Sequence, residues 1–122
     1  MGVLVSVRGW LECDGRQLAR IKEIIGSEDQ DRTYSGGWGF PARQCNFANW
    51  VFFGAQMRAG SLDRFRGQLG RVARIPASDE DGDLVTGLFL VSHDVEGMGE
   101  WQVRDGAVVT GPASGRYRYL DA

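Results

Sequence analysis

"VLVSVRGWLECDGRQLARIKEIIG", residues 3–26, changes its hydrophobic period part-way along, and that change decides the fold. Val3, Val5 and Val7 recur at every second position, the pattern of a half-buried strand. Gly9 then marks a bulge ahead of Trp10. Beyond Cys13 the period lengthens. Leu18, Ile21, Ile24 and Ile25 return at helical spacing, one apolar stripe on an otherwise polar helix. Asp14 stands where such a helix needs a cap, and Gln17 three residues on completes a capping box. Gly26 stands where the C-terminal cap belongs. A strand that runs straight into an amphipathic helix points to a mixed architecture.

The rest of the chain repeats this theme. In "NWVFFGAQMR", residues 49–58, Val51, Phe53, Ala55 and Met57 point one way. Trp50, Phe52 and Gln56 point the other. Large apolar groups on both sides predict a central strand, or one covered on both faces. Ser61 is placed to cap a second helix whose stripe is Leu62, Phe65, Leu69, Val72 and Ile75. Gly67 and Gly70 inside it cost about 1 kcal/mol each relative to alanine. They predict close packing on a neighbour, or a weak helix. Pro76 stops it.

"VTGLFLVSHD", residues 85–94, is a nearly continuous apolar run and reads as a central strand, with a flexible connection over 95–99. "EWQVRDGAVVTG", residues 100–111, holds two short β runs around Asp105-Gly106, the signature of a type I′ hairpin. The order β-α-β-α-β-β-β predicts an α+β fold: a mostly antiparallel sheet with two helices on one face, and its last three strands in a meander. One domain is expected over residues 1–122.

Bulk properties narrow the function. The chain has 122 residues, 43% of them hydrophobic and 25% charged, enough for one real core. A formal charge of −2 argues against a dedicated nucleic-acid binder. No apolar run approaches the roughly 18 residues of a membrane span. The start lacks the basic region of a signal peptide, so a cytoplasmic protein with two free thiols, Cys13 and Cys45, is expected.

Catalytic and metal chemistry find little to work with. One histidine and two distant cysteines make a poor zinc set. The acidic run Asp79, Glu80, Asp81, Asp83 departs from a calcium loop: its glycine comes too early, and Leu90 stands where the closing glutamate belongs. Cys45 and His93 have no local signature of a nucleophile and base. The glycines of 36–39 lack the Lys-Ser/Thr of a phosphate loop. No catalytic residue, metal ligand or cofactor is therefore expected. The arginines around the second helix, Arg58, Arg64, Arg66, Arg71 and Arg74, read as a solvated face.

"YSGGWGFPARQCNF", residues 34–47, is too rich in glycine for a helix and too apolar for an idle loop. Its aromatics Tyr34, Trp38, Phe40 and Phe47 either fold inward as a lid on the sheet or form an exposed contact surface. A small-molecule site or an enzyme pocket beneath this loop, lined by Trp38, Cys45 and His93, is the alternative reading.

Taken together, Gly9-Trp10 before the first helix, Gly87-Leu88 opening an apolar strand that ends at Asp94, and the hairpin from Trp101 to Val108 resemble a known pattern. Over residues 9–110 the chain resembles the bacterial immunity proteins of polymorphic toxin systems, of the type called immunity protein seven. The resemblance implies a non-catalytic protein that binds and blocks a cognate toxin, a nuclease or deaminase, inside the producing cell. Asp79, Glu80, Asp81 and Asp83 would then face the toxin, with Trp38 and Phe40 as anchors. A homodimer is compatible with this reading.

Overall fold

The computed structural model describes residues 3–28, 35–42 and 48–121. Tyr34, Arg43, Cys45 and Phe47 lie outside the described residues. Six strands form one sheet: β1 (Leu4–Cys13), β2 (Trp38–Gly39), β3 (Asn49–Arg58), β4 (Thr86–His93), β5 (Gly97–Arg104) and β6 (Ala107–Pro112). Their spatial order is β2-β3-β1-β4-β5-β6, and every neighbouring pair is antiparallel. Two helices, α1 (Gly15–Glu28) and α2 (Leu62–Ala73), pack on one face. The α+β fold, the two helices on one side and the terminal meander are as the sequence predicts. No helix among the described residues is long and apolar enough to cross a membrane.

The first strand lies at the centre because it pairs on both edges, with β3 and with β4. Its register is continuous from end to end, so Gly9 is no bulge. The glycine serves a different purpose. A β-carbon there would lie 2.2 Å from the Leu88 carbonyl oxygen and 2.6 Å from the Phe89 ring. Phe89 therefore occupies the space that a side chain at position 9 would need. With the alternation unbroken, Trp10 falls on the face opposite Val5, Val7 and Leu11.

On the helix-covered face one row runs from β2 across to β5: Trp38, Phe53, Gly9, Phe89, Trp101. Phe65 of α2 closes over it. Its ring centroid lies 4.6 Å from Phe53, 5.8 Å from Phe89, 6.0 Å from Trp38 and 6.3 Å from Trp101. These separations are those of aromatic pairs that add to simple area burial. Ile21, Ile24 and Ile25 of α1 and Leu69 and Val72 of α2 fill the rest of the core.

Local chemistry fixes the elements as the sequence requires, with four differences. The capping box forms: Asp14 Oδ1 accepts from the Gln17 N–H at 2.8 Å, and Gln17 Oε1 accepts from the Asp14 N–H at 2.9 Å. Asp105 (φ 53°) and Gly106 (φ 77°) both take the left-handed conformation that a type I′ turn demands. However, α1 runs two residues past Gly26 and ends at Glu28, which pairs with Arg71 of α2. Ser61 makes no side-chain cap bond; a short 3₁₀ turn, Ala59–Ser61, leads into α2 instead. A β-carbon on Gly67 would meet nothing within 4 Å, so that glycine serves no close approach. Residues 97–99, expected as a connection, already belong to β5.

Candidate functional site

The face of the sheet away from the helices is built from the alternate residues of the same strands. In register, Phe52, Trp10, Leu88, Gln102 and Val109 cross it in one row, with Arg8 beside Leu90 and Glu12 beside Trp50 in the adjacent rows. Trp10 is 40% exposed, Trp50 39% and Phe52 48%. Phe52 and Trp10 are direct cross-strand neighbours, close enough to pack as a pair. Of the two readings of residues 49–58, the central strand holds, since β3 pairs with β1 and with β2, and coverage on both faces does not. Two helices cover one face of a six-stranded sheet, and on the other Trp10, Trp50 and Phe52 remain exposed.

This aromatic face ends at an acidic cleft. A cavity of about 420 Å³ opens where β1 runs into α1, lined by Glu12, Asp14, Asp79, Asp81 and Asp83 together with Cys13, Gln17 and Thr86. Among the described residues no lysine or arginine lines it. Gln17 holds the acidic loop in place: while its Oε1 closes the capping box, its Nε2 donates to the Asp83 carbonyl at 2.9 Å. The Ser78 hydroxyl donates to Asp14 Oδ1 at 3.0 Å. The loop itself is turned by the Asp81 N–H donating to Asp79 Oδ1 at 3.1 Å. Its carboxylates thus gather at the N-terminus of α1, where the helix dipole favours negative charge. Glu12 belongs to both regions, since it lines the cleft and is the cross-strand neighbour of Trp50.

The expected site residues divide accordingly. Asp79, Glu80, Asp81 and Asp83 are exposed. Trp38 is 8% exposed and lies against Phe53, with ring centroids 4.7 Å apart. It is a core residue, and its indole is out of reach of a docking partner. Phe40 is half-buried, and the Lys22 ammonium sits 5.3 Å from its ring centroid. The space beneath Trp38 is taken by the Phe53 and Phe65 rings. His93 lies four residues further along β1, opposite Val5, whereas Trp38 shares the row of Gly9. Its Nδ1 accepts from the Val95 and Glu96 N–H groups, each at 3.1 Å. Trp38 and His93 are therefore not brought together, and Cys45 lies outside the described residues.

Cys13 is a free, buried thiol at the floor of the cleft. Burial, and then the charges of Asp14 and Glu12, push it up to about 11. That direction keeps it protonated and unreactive at neutral pH. Its Sγ lies 3.7 Å from the Asn49 carbonyl, which accepts its proton. Among the described residues no three His, Cys, Asp or Glu side chains are grouped so as to hold a metal ion.

Trp10, Trp50, Phe52 and Glu12 are the surface residues that sequence reasoning missed. The signal was present. Two amphipathic helices can cover only one side of a broad sheet, so aromatics on the second side must remain in view. Comparison of the chain with protein-family models, with curated proteins and with solved structures finds no match.

Proposed function

We propose that this protein is a non-catalytic binding protein, an immunity protein that occludes a cognate bacterial toxin of the nuclease or deaminase type inside the producing cell. The observation that carries this reading is the junction at Glu12, where an open aromatic sheet face meets a cleft walled by carboxylates. Tryptophan and phenylalanine on a pre-formed sheet are efficient anchors, because they supply large contact area at little entropic cost. An exposed apolar patch rimmed by charge is the usual form of a protein-docking surface. The cleft adds a sign. A toxin that acts on nucleic acid must surround its active site with basic groups, since its substrate is a polyanion. Carboxylates of Glu12, Asp79, Asp81 and Asp83 would meet those groups where phosphates otherwise lie, raising the association rate and the specificity.

The test uses the product of the neighbouring toxin gene, purified and assayed on its nucleic-acid substrate. Equimolar protein should abolish the activity. Trp10→Ser with Phe52→Ser should weaken binding at least tenfold, mostly through faster dissociation. Asp81→Lys should slow association at low salt, with an effect that shrinks as salt screens the charges. Undiminished toxin activity at equimolar protein overturns the reading. So does inhibition that neither set of substitutions alters.

A further inference from the structure

On the helix side of the sheet, α1 and the end of α2 leave a hollow between them. It is a cavity of about 240 Å³, lined by Arg20, Ile24, Arg71, Arg74, Ile75 and Pro76. Ile24 and Ile75 are buried and make an apolar floor, continued by Pro76. Its charge has one sign: arginines reach it from both helices, and among the described residues no carboxylate lines it. Two of the arginines have partners outside the lining. Arg20 Nη1 donates to Glu23 Oε2 at 2.9 Å, and Arg71 pairs with Glu28. Arg74 differs: among the described residues its guanidinium makes no hydrogen bond and no ion pair.

Helix ends alone do not require this arrangement. Cations gather at the C-terminus of a helix because its dipole is negative there, and Arg71 and Arg74 gain from that at the end of α2. Arg20 does not, since it stands in the second turn of α1, nearer that helix's positive end. Folding thus brings like charges together, which opposes the compact state. Arg74 is also turned back along its own helix. Its Nη1 lies 3.5 Å from the point where a β-carbon on Gly70 would stand, so the guanidinium lies over the last turn, in room that Gly70 leaves.

We propose that this cavity binds a small phosphomonoester, its phosphate held by Arg20, Arg71 and Arg74 and its organic body laid on Ile24, Ile75 and Pro76. A guanidinium presents its N–H groups as a planar fork that matches two oxygens of a phosphate or a carboxylate. A carboxylate has only two oxygens, in one plane. A phosphomonoester has three terminal oxygens directed to different sides, which suits forks that arrive from two helices. Above its second ionisation, at about pH 6, it also carries close to two negative charges, which offset the repulsion among the arginines better than one. A phosphodiester of nucleic acid offers one charge and two free oxygens, and the chain's own formal charge of −2 opposes a polyanion. The volume lies just below the roughly 300–1,000 Å³ of drug-sized sites, so the organic body is small. The site is on the helix side of the sheet, away from Trp10 and Phe52, and is independent of what they meet.

Titration of the full chain with phenyl phosphate above pH 7, followed by calorimetry and by amide chemical shifts, tests this. A saturable site with a Kd below about 1 mM is expected, with shifts at residues 71–75 and none at Trp10 or Phe52. Inorganic phosphate should bind more weakly because it leaves the apolar floor bare. Benzoate and dimethyl phosphate should bind more weakly than phenyl phosphate because each offers one charge and two oxygens. Arg20→Gln and Arg74→Gln, both at exposed positions, should each weaken phenyl phosphate at least about tenfold, the usual worth of a hydrogen bond to a charged group. Arg66→Gln, exposed on α2 but outside the lining, removes the same charge and should change the affinity less than about twofold. No saturable binding of phenyl phosphate up to about 10 mM overturns the proposal. So does an Arg66→Gln effect as large as that of Arg74→Gln, which would mean general attraction to a basic surface. Should the arginine variants fail to fold, the wild-type series decides: benzoate or dimethyl phosphate bound as tightly as phenyl phosphate, or shifts that spare residues 71–75, overturns it as well.

Discussion

Two rows of side chains lie one residue apart along the same strands, and both are rich in aromatics. Trp38, Phe53, Phe89 and Trp101 line the inner row around Gly9; Phe52, Trp10, Leu88 and Val109 form the outer one. The inner row is sealed by Phe65, whereas the outer row stays between a third and a half exposed at its tryptophan and phenylalanine positions. Residue type does not separate them. The difference lies in what passes over each face. The chain leaves β3, crosses the sheet as α2 and returns as β4 on the far side of β1, so that Phe65 is delivered above the centre of one face only. A phenylalanine in the inner row therefore holds the fold together, while one in the outer row is free to meet a partner.

The sharpest way to break this comparison is Phe65→Ala. Removing the ring that touches four others should cost about 3–5 kcal/mol of unfolding free energy, the usual range for a buried aromatic. Urea denaturation measures it, and a loss below about 1 kcal/mol would mean that α2 does not seal the inner row.

Gly9→Ala comes next. The added carbon would meet the Leu88 carbonyl and the Phe89 ring at distances no real contact allows, so β1 and β4 must part or Phe89 must leave its place. A cost of about 3 kcal/mol is expected, at the upper end for overpacking. A neutral Gly9→Ala would show that the inner row has slack.

Cys13, also on the inner face, sharpens the comparison through pH. Its folded-state value, about 11, lies above the ordinary 9.0. The protonated thiol is thus favoured by folding. Its contribution is fully present below pH 9 and is lost as pH rises from 9 towards 11, because the unfolded chain ionises first. The loss should approach about 2–3 kcal/mol at the top of that window. The stability difference between wild type and Cys13→Ser should hold steady below pH 9 and shrink by that amount above it. A difference that does not change with pH would place the thiol in contact with water.

The smallest effect on stability belongs to the outer row. Phe52→Ser removes one cross-strand contact with Trp10 and should cost about 1 kcal/mol or less. Thermal unfolding checks this. A cost like that of Phe65→Ala would mean that the open face is part of the core.

Most of the fold was legible from residues 3–26, 49–58 and 100–111, because alternation, helical spacing, the Asp14–Gln17 capping box and the Asp105-Gly106 turn are local properties. A strand's two faces can be told apart within ten residues of sequence, and a type I′ turn needs only two residues able to take positive φ. The acidic loop was likewise visible as a run of like charge. Its link to Glu12 and Asp14 was not, since Gln17 reaches Asp83 across 66 positions of the chain.

The sequence by itself determined the kinds of element, their order and the two-sided character of β1 and β3. Only the tertiary structure decided which aromatics are core and which are surface. Trp38, read as an anchor, is buried because Phe53 and Phe65 pack against it. Trp10 and Phe52 are exposed because the register of β1 carries no bulge and both helices lie on the opposite side. The physical reason is one of range: alternation assigns each residue to a face from its immediate neighbours, but whether that face is covered depends on where distant helices pass.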